Sequence, residues 1–560
     1  MKTQAYAIGV DYGTNSCRAL LVDVRDGREL AMHVFPYPTG EAGIILDRRD
    51  PNLARQNPAD YIDGFLACVA SVVRQARKVK GFTPDQVVGI GVDTTGSTPL
   101  PVDAKGLPLA MTRKFARHPA AQAWLWKDHT GHAEAAAITE CARQAGAPYL
   151  STCGGTYSSE WFWSKIWHCQ KTAPDVFRAA HSWVEACDFI PAFVTGKLSP
   201  ASMPRSICAA GHKAMYAEQW GGLPSEKFLA SLDPELAALR SRLYTQAVPS
   251  DQVAGFLIDE IARQVGLPQG IPVAVGAFDA HHGAVGAGIR PGTLVKIIGT
   301  STCDMLVAPA GVQLKDIPGI CGLVPGSIVP GMTGLEAGQS AVGDIFLWFA
   351  KHLQPAGRSG GDAIAALTRA AAAARPGESG LVALDWNNGN RTILVDPLLS
   401  GLLVGQTLHT TAPEIFRALV EATAFGAHTI IQRFEEYGVP VKEVVNCGGI
   451  AEKSPFLMQV YADVCNRPMR ISRSAQTCAL GAAIFGAVAG GAWRNTGAAQ
   501  RAMTGVKDTV YRPIGANVRV YGELYAIYRD LHDAFGRTGR HPPLDDVMKR
   551  LIAIRTRTRR

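Results

Sequence analysis

The feature that most constrains the fold is a pattern that occurs twice. Residues 6–23 read YAIGVDYGTNSCRALLVD, and residues 293–308 read TLVKIIGTSTCDMLVA. Each is an apolar, β-rich run, a short turn of small and hydroxyl residues, and a second apolar run. The pattern predicts a hairpin whose tip offers backbone N–H groups and hydroxyls, a concave setting for anions. Two copies this far apart predict a weak internal duplication: an α/β protein of two lobes, each opening on such a hairpin. A chain of 560 residues is too long for one core, which agrees. The lobes are placed at 1–286 and 287–560, with a cleft between them.

The stretches between the hairpins fill in each lobe. RELAMHVF adds a third strand, and VVGIGVDTTGST is a buried strand entering a polar turn. NPADYIDGFLACVASVVRQARKV switches to helical period, with Ile62, Phe65, Leu66, Val69, Val72 and Val73 on one face. Asn57 is its expected N-cap and Pro58 its first residue. In the second half, PEIFRALVEATAFGAHTIIQRFEEYG predicts a long helix and EVVNCGGI a strand ending in glycines. TCALGAAIFGAVAG predicts a helix able to pack closely. AIAALTRAAAAARPGESG reads as a peripheral surface helix and linker, and the closing RTRTRR as a solvated tail.

Composition narrows the partners. A net charge of +8 suits anionic small molecules, and no segment concentrates it into the stripe that nucleic acid needs. The 12 cysteines are scattered without a C-x-x-C pair, so they read as reduced, mostly buried thiols. The N-terminus enters a strand directly, and the most apolar late stretch is short of a membrane span. A cytoplasmic protein that binds neither nucleic acid nor membrane is expected.

Two phosphate-type turns, one per lobe, suggest a polyphosphate clamped between lobes. Neither G-x-x-x-x-G-K-[ST] nor a strand-to-helix G-x-G-x-x-G is present, so P-loop and Rossmann readings lack their fingerprints. NCGGIAEKSPFLMQ, with Gly448 and Gly449 at a strand end, supplies what a nucleotide base pocket requires. Asp11 lies within the apolar run of the first hairpin, where a carboxylate is costly unless a cation or donors need it. Further stretches place polar residues at strand or loop ends: GVDTTGSTP with Gly96, LWKDHT with Trp126 and Asp128, AAGHKAMY with Lys213 and GLEAGQSAVGD with Glu336. Asp279 ends an apolar strand directly before a glycine-rich segment joining the lobes, as a general base at a cleft would. His281 and His282 follow it, but no further His/Cys pattern accompanies them, and they are not read as a metal site.

At these residues the chain resembles the FGGY carbohydrate kinases, a branch of the actin/Hsp70-like ATPases, from Ile8 to about Ala489. VDTTGSTP, LWKDHT, YSSEWFWSKI, AGHKAMY, GAFDAHHGAVGAG, KIIGTSTCDML and GLEAGQSAVGD narrow the resemblance to the branch acting on L-ribulose in L-arabinose breakdown. It implies two lobes on ribonuclease-H-like cores, with ATP, Mg²⁺ and the sugar in the cleft, and a homodimer is expected. By the same resemblance Gly13, Thr14 and Asn15 face the nucleotide phosphates from one lobe, and Gly299 and Thr300 from the other. Asp11 holds Mg²⁺ through water. Gly343, Gly449 and Lys453 contact the nucleotide, Lys453 standing where relatives often carry Asn or Ser. Gly96, Lys213, Asp279 and Glu336 contact the ketopentose, Trp126 and Asp128 line its pocket, and Asp279 is the catalytic base. Two alternatives stay open: a kinase for a related pentulose or pentitol, and an ATP-driven conformational switch without a sugar pocket.

Overall fold

The computed structural model describes residues 4–353, 360–540 and 542–559. Both hairpins form. Tyr6–Tyr12 pairs antiparallel with Ser16–Asp23, and Thr293–Ile298 pairs antiparallel with Thr302–Pro309. In each half the first strand of the hairpin also pairs in parallel with a later strand: Val87–Thr94 in one, Glu443–Cys447 in the other. The repeated sequence pattern therefore carries a repeated topology. In the N-terminal sheet the strand order is Val253–Phe256, Pro272–Ala274, Val87–Thr94, Tyr6–Tyr12, Ser16–Asp23, Glu29–Pro36, and Ala277–Phe278 also pairs with Val87–Thr94. The C-terminal sheet runs Gly322–Pro325, Met332–Ala337, Thr302–Pro309, Thr293–Ile298, Glu443–Cys447, Met469–Ser472, Val506–Tyr511.

Helices cover the sheets as their apolar faces require. The helix Pro58–Ala76 begins where expected, with the Asn57 side chain accepting from the Ala59 N–H. It buries Phe65, Val69, Val72 and Val73 in the N-terminal core, with Ile62 and Leu66 packed at the edge. The long helix Ala412–Glu436 buries its face in the C-terminal core.

Two helices lie between the sheets. Asp279–Gly286 and Thr477–Ala489 pack on each other, and Thr477–Ala489 also packs on Tyr6–Tyr12 and Val87–Thr94. Small residues make this contact possible. A Cβ on Gly9 would sit 1.8 Å from the Ala479 carbonyl oxygen, and one on Gly91 would sit 1.9 Å from that of Ala482. The core between the halves draws Ala7 and Leu20 from one side, and Val295, Val445, Ile484 and Phe485 from the other.

Two expectations are corrected. The alanine-rich helix Gly360–Ala373 is not peripheral: Ala363, Leu367 and Ala371 are buried in the C-terminal core. Alanine at helical spacing makes a narrow apolar stripe that composition alone disguises. The closing basic run is solvated as expected but is not a loose tail: as far as Arg559 it belongs to a helix, Val547–Arg559, anchored through Val547, Leu551 and Ile554, and Arg560 lies outside the described residues. Its arginines pair outward, Arg557 with Glu523 and Arg559 with Glu414. All 12 cysteines are free thiols, and no described helix is long and apolar enough to cross a membrane.

Candidate active site

The two hairpin tips are open and polar. In the first, the Gly13 N–H closes the turn on the Ser16 carbonyl, 2.9 Å. Gln56 donates to the Thr14 carbonyl (2.8 Å), and Asn15 donates to the Ala42 carbonyl (2.6 Å). In the second, the Gly299 N–H donates to the Ser301 carbonyl at 2.9 Å, and the N–H groups of Val342 and Asp344 hold the Thr300 carbonyl. Gly343 opens the helix Gly343–His352 against this tip, donating to the Gly299 carbonyl at 3.1 Å. Gly449 and Lys453 lie exposed on the short helix Gly449–Lys453 that follows Glu443–Cys447.

Three carboxylates crowd the N-terminal side. Asp11 and Asp93 are register neighbours on parallel strands, so both side chains project on the same face. Arg18, opposite Asp11 on the hairpin, reaches it at 3.2 Å. Asp93 is completely buried, and both its oxygens lack a hydrogen-bond partner. Burial, then the charges of Asp11 and Asp279, push its carboxyl well above the usual range. Asp279 starts the helix Asp279–Gly286, which lies between the two sheets, and is partly accessible. Burial and the neighbouring Asp11 charge raise its pKa to about 7, although its oxygen accepts from the Ala280 N–H at 2.6 Å.

Near enough to Asp279 for the Glu336 charge to raise its pKa further is a cation–anion pair. Lys213, ending the helix Ile207–Lys213, donates to Glu336 Oε1 at 2.7 Å across the two halves. Burial works against both charges, but the pair holds Lys213 above its ordinary pKa and brings Glu336 down to about 2. Gly96 sits beneath Phe278, the residue before Asp279. A Cβ on Gly96 would lie 2.2 Å from the Phe278 ring, so only glycine allows this approach.

Trp126 and Asp128 divide in role. The Trp126 indole N–H donates to Thr14 Oγ1 at 3.1 Å, so this ring braces the first hairpin tip. Asp128 is fully buried and its oxygens are taken, by the Ala54 N–H, the Thr130 N–H and hydroxyl, and Arg55. Asp128 thus anchors the segment carrying Trp126 and faces no solute.

Sequence reasoning did not single out several residues that hold this site. Lys165 is fully buried and donates to the carbonyls of Ser97, Trp124 and Leu125. Burial lowers its pKa to about 7 and raises that of Glu185 to about 7. Glu185 accepts from Ser97 Oγ and from the Thr98 N–H, so the pair clamps the loop that carries Gly96. Arg391 crosses from the C-terminal half to Glu160 at 3.1 Å and lies over the Trp126 ring. Glu160 and Lys165 fall in YSSEWFWSKI, but an aromatic-rich helix start gives no hint of which polar atoms it buries. In the second half, Lys296 is buried against Asp304 (2.8 Å) and Gln339 (3.0 Å) below the second hairpin tip.

Residues 6–286 match the N-terminal domain model of the FGGY family of carbohydrate kinases, and residues 294–490 match its C-terminal domain model. The chain belongs to the FGGY family of carbohydrate kinases. It is 43% identical to a ribulokinase of Halalkalibacterium halodurans, covering 99% of this chain and 98% of that one. It is 41% identical to a ribulokinase of Mycolicibacterium smegmatis, covering 99% and 97%. Among solved FGGY structures, the xylulose kinase of Rhodospirillum rubrum superposes with a TM-score of 0.74 at 25% identity, over 95% of this chain and all of that one. The Plasmodium falciparum glycerol kinase with ADP shares the fold, with a TM-score of 0.73 at 15% identity, over 94% and 98%.

Proposed function

We propose that this chain transfers the γ-phosphoryl group of ATP to the terminal hydroxyl of L-ribulose, giving L-ribulose 5-phosphate, the step a ribulokinase contributes to L-arabinose breakdown. The observation that carries the chemical part is Asp279, a partly accessible carboxylate of raised pKa, set at a helix between the two sheets and near the Lys213–Glu336 pair. The near-full-length identity to ribulokinases supports the acceptor.

Phosphoryl transfer has a loose transition state, so positioning and charge neutralisation do most of the catalysis. Asp279 accepts the hydrogen bond of the acceptor hydroxyl, aligns it and takes its proton as the phosphoryl group arrives. A carboxylate whose pKa lies near neutrality is suited to that task. Lys213 donates to sugar hydroxyls and Glu336 accepts from them, and the Gly96 backbone, on which the Phe278 ring closes, contacts the sugar. A site that pairs those hydroxyls penalises analogues that lack them. The tips at Gly13, Thr14 and Asn15 and at Gly299 and Thr300 grip the phosphates from two sides, with Gly343 supporting the second. Gly449 and Lys453 lie on the adenine side.

Mg²⁺ fits the donor set. Asp11 and Asp93 offer oxygen ligands of the hard type it prefers, and the two Asp93 oxygens are otherwise unserved. Bound with the nucleotide, Mg²⁺ offsets phosphate charge. The lobes are taken as 1–286 and 287–560, acting in the cytoplasm as a homodimer.

The test is ADP release by purified protein with a panel of pentuloses and pentitols. L-ribulose should give the highest kcat/KM, and turnover without sugar should be negligible. Sugar-independent ATP hydrolysis would instead favour a conformational switch.

A further inference from the structure

Beside the Lys213–Glu336 pair, three buried groups from three elements converge. His212 comes from the helix Ile207–Lys213, His281 from the helix Asp279–Gly286, and Glu336 from the strand Met332–Ala337. His212 Nδ1 lies 3.4 Å from Glu336 Oε2, and His281 Nε2 lies 3.7 Å from the same oxygen. The three ligand atoms all fall within 4.8 Å of one another. None of the three has a hydrogen-bond partner, although polar atoms this deeply buried are almost always paired.

The proton inventory sharpens this. Ser327 donates its hydroxyl proton to the Val324 carbonyl at 3.0 Å, so its oxygen accepts from His212 Nε2 at 2.9 Å. That hydrogen bond places the imidazole proton on Nε2 and leaves a lone pair on Nδ1, facing the carboxylate oxygen. Two lone pairs then face each other, with the unpartnered His281 nitrogen beside them. A cation between them satisfies all three.

Geometry selects the kind of ion. Ligands of a tetrahedral zinc ion with bonds of about 2.0–2.1 Å stand about 3.3 Å apart, close to the two separations here. Two imidazoles and one carboxylate suit zinc-class ions, whereas Mg²⁺ prefers oxygen throughout. The bond from His212 to Ser327 is the outer-shell contact that ligating histidines usually make. Of the three side chains only Glu336 has appreciable access to the cleft, at 12% exposure. We propose that His212, His281 and Glu336 form a binding site for a divalent cation of the zinc class, its fourth position open to the cleft. The histidines belong to the N-terminal half and Glu336 to the C-terminal sheet, so the ion ties the two halves together. Lys213 already occupies Oε1, which leaves Oε2 for the sugar. On the sugar reading given above, metal and L-ribulose therefore compete.

The full chain, stripped with a chelator and free of nucleotide and sugar, is titrated with Co²⁺ by visible absorption and with Zn²⁺ by calorimetry. One equivalent should bind, with the intense visible bands of four-coordinate Co²⁺ and no thiolate charge transfer. His212→Ala and His281→Ala should each weaken binding at least tenfold, and His281→Gln, which keeps more of the side-chain volume, should do the same with an unchanged thermal melt. Absence of one-to-one binding, binding indifferent to these substitutions, or a sulfur-to-cobalt band overturns the site. Saturating L-ribulose should weaken Co²⁺ binding at least tenfold. If Co²⁺ binds at the histidines and ignores the sugar, the metal site stands and the assignment of Glu336 to the sugar falls. If L-ribulose is phosphorylated but Co²⁺ does not bind, the metal site alone falls.

Discussion

At the scale of single residues, Asp279 concentrates the consequences. Asp279→Asn should keep ATP binding and lose about 10²–10⁴-fold in kcat, measured by coupled ADP release against nucleotide titration. Since the proposed base acts only when ionised, kcat/KM of the parent should rise with pH through an apparent pKa of about 7. Its stability effect has the opposite sense. A carboxyl whose pKa is raised by folding favours the folded state below the unfolded value of 3.8, and that contribution is lost as pH rises through about 7. Asp279→Asn should therefore melt at a higher temperature than the parent at pH 8, with the gap narrowing toward pH 5. A gap independent of pH would remove this account. Gly96→Ala forces a Cβ into the Phe278 ring, and overpacking of this kind costs about 1–3 kcal/mol. The strain falls on the residue next to Asp279, so kcat should drop along with Tm.

At the scale of elements, the helix Thr477–Ala489 is held by close backbone approach. Gly9→Ala places a methyl carbon against the Ala479 carbonyl, which is backbone and cannot swing aside. A loss of Tm larger than for Gly96→Ala is expected, followed by circular dichroism, because the shift propagates to two sheets and a neighbouring helix. The C-terminal helix gives a complementary case. Deleting residues 547–560 exposes the core positions that Val547, Leu551 and Ile554 cover. At about 1.5–3 kcal/mol per fully buried apolar side chain, the deletion should lower Tm while leaving kcat near normal, since this helix carries no residue of the proposed site.

At the scale of the molecule, the proposed site draws on both halves. Lys213–Glu336 and Glu160–Arg391 both join one half to the other. Closure on ATP analogue and sugar should therefore compact the chain in solution scattering, excluding water that would otherwise compete as acceptor. Arg391→Ala should raise the sugar KM more than it lowers kcat, since it removes a tie between halves and not a reacting group.

Much of this was legible in the chain itself. Local periodicity and turn chemistry determined the two hairpins, the Asn57-capped helix and the close-packing helix at 477–489, because each depends on neighbours in sequence. Motif likeness nominated the residues of the proposed site. What only the tertiary structure decided are the contacts between distant segments. Asp128 is spent on Arg55 and backbone donors, Trp126 braces Thr14, and Lys165 with Glu185 clamps the Gly96 loop. His212 and His281 meet at Glu336 only after the two halves pack. Burial and pairing of polar groups are properties of the packed whole, and no spacing along the chain encodes which charge a given charge will find.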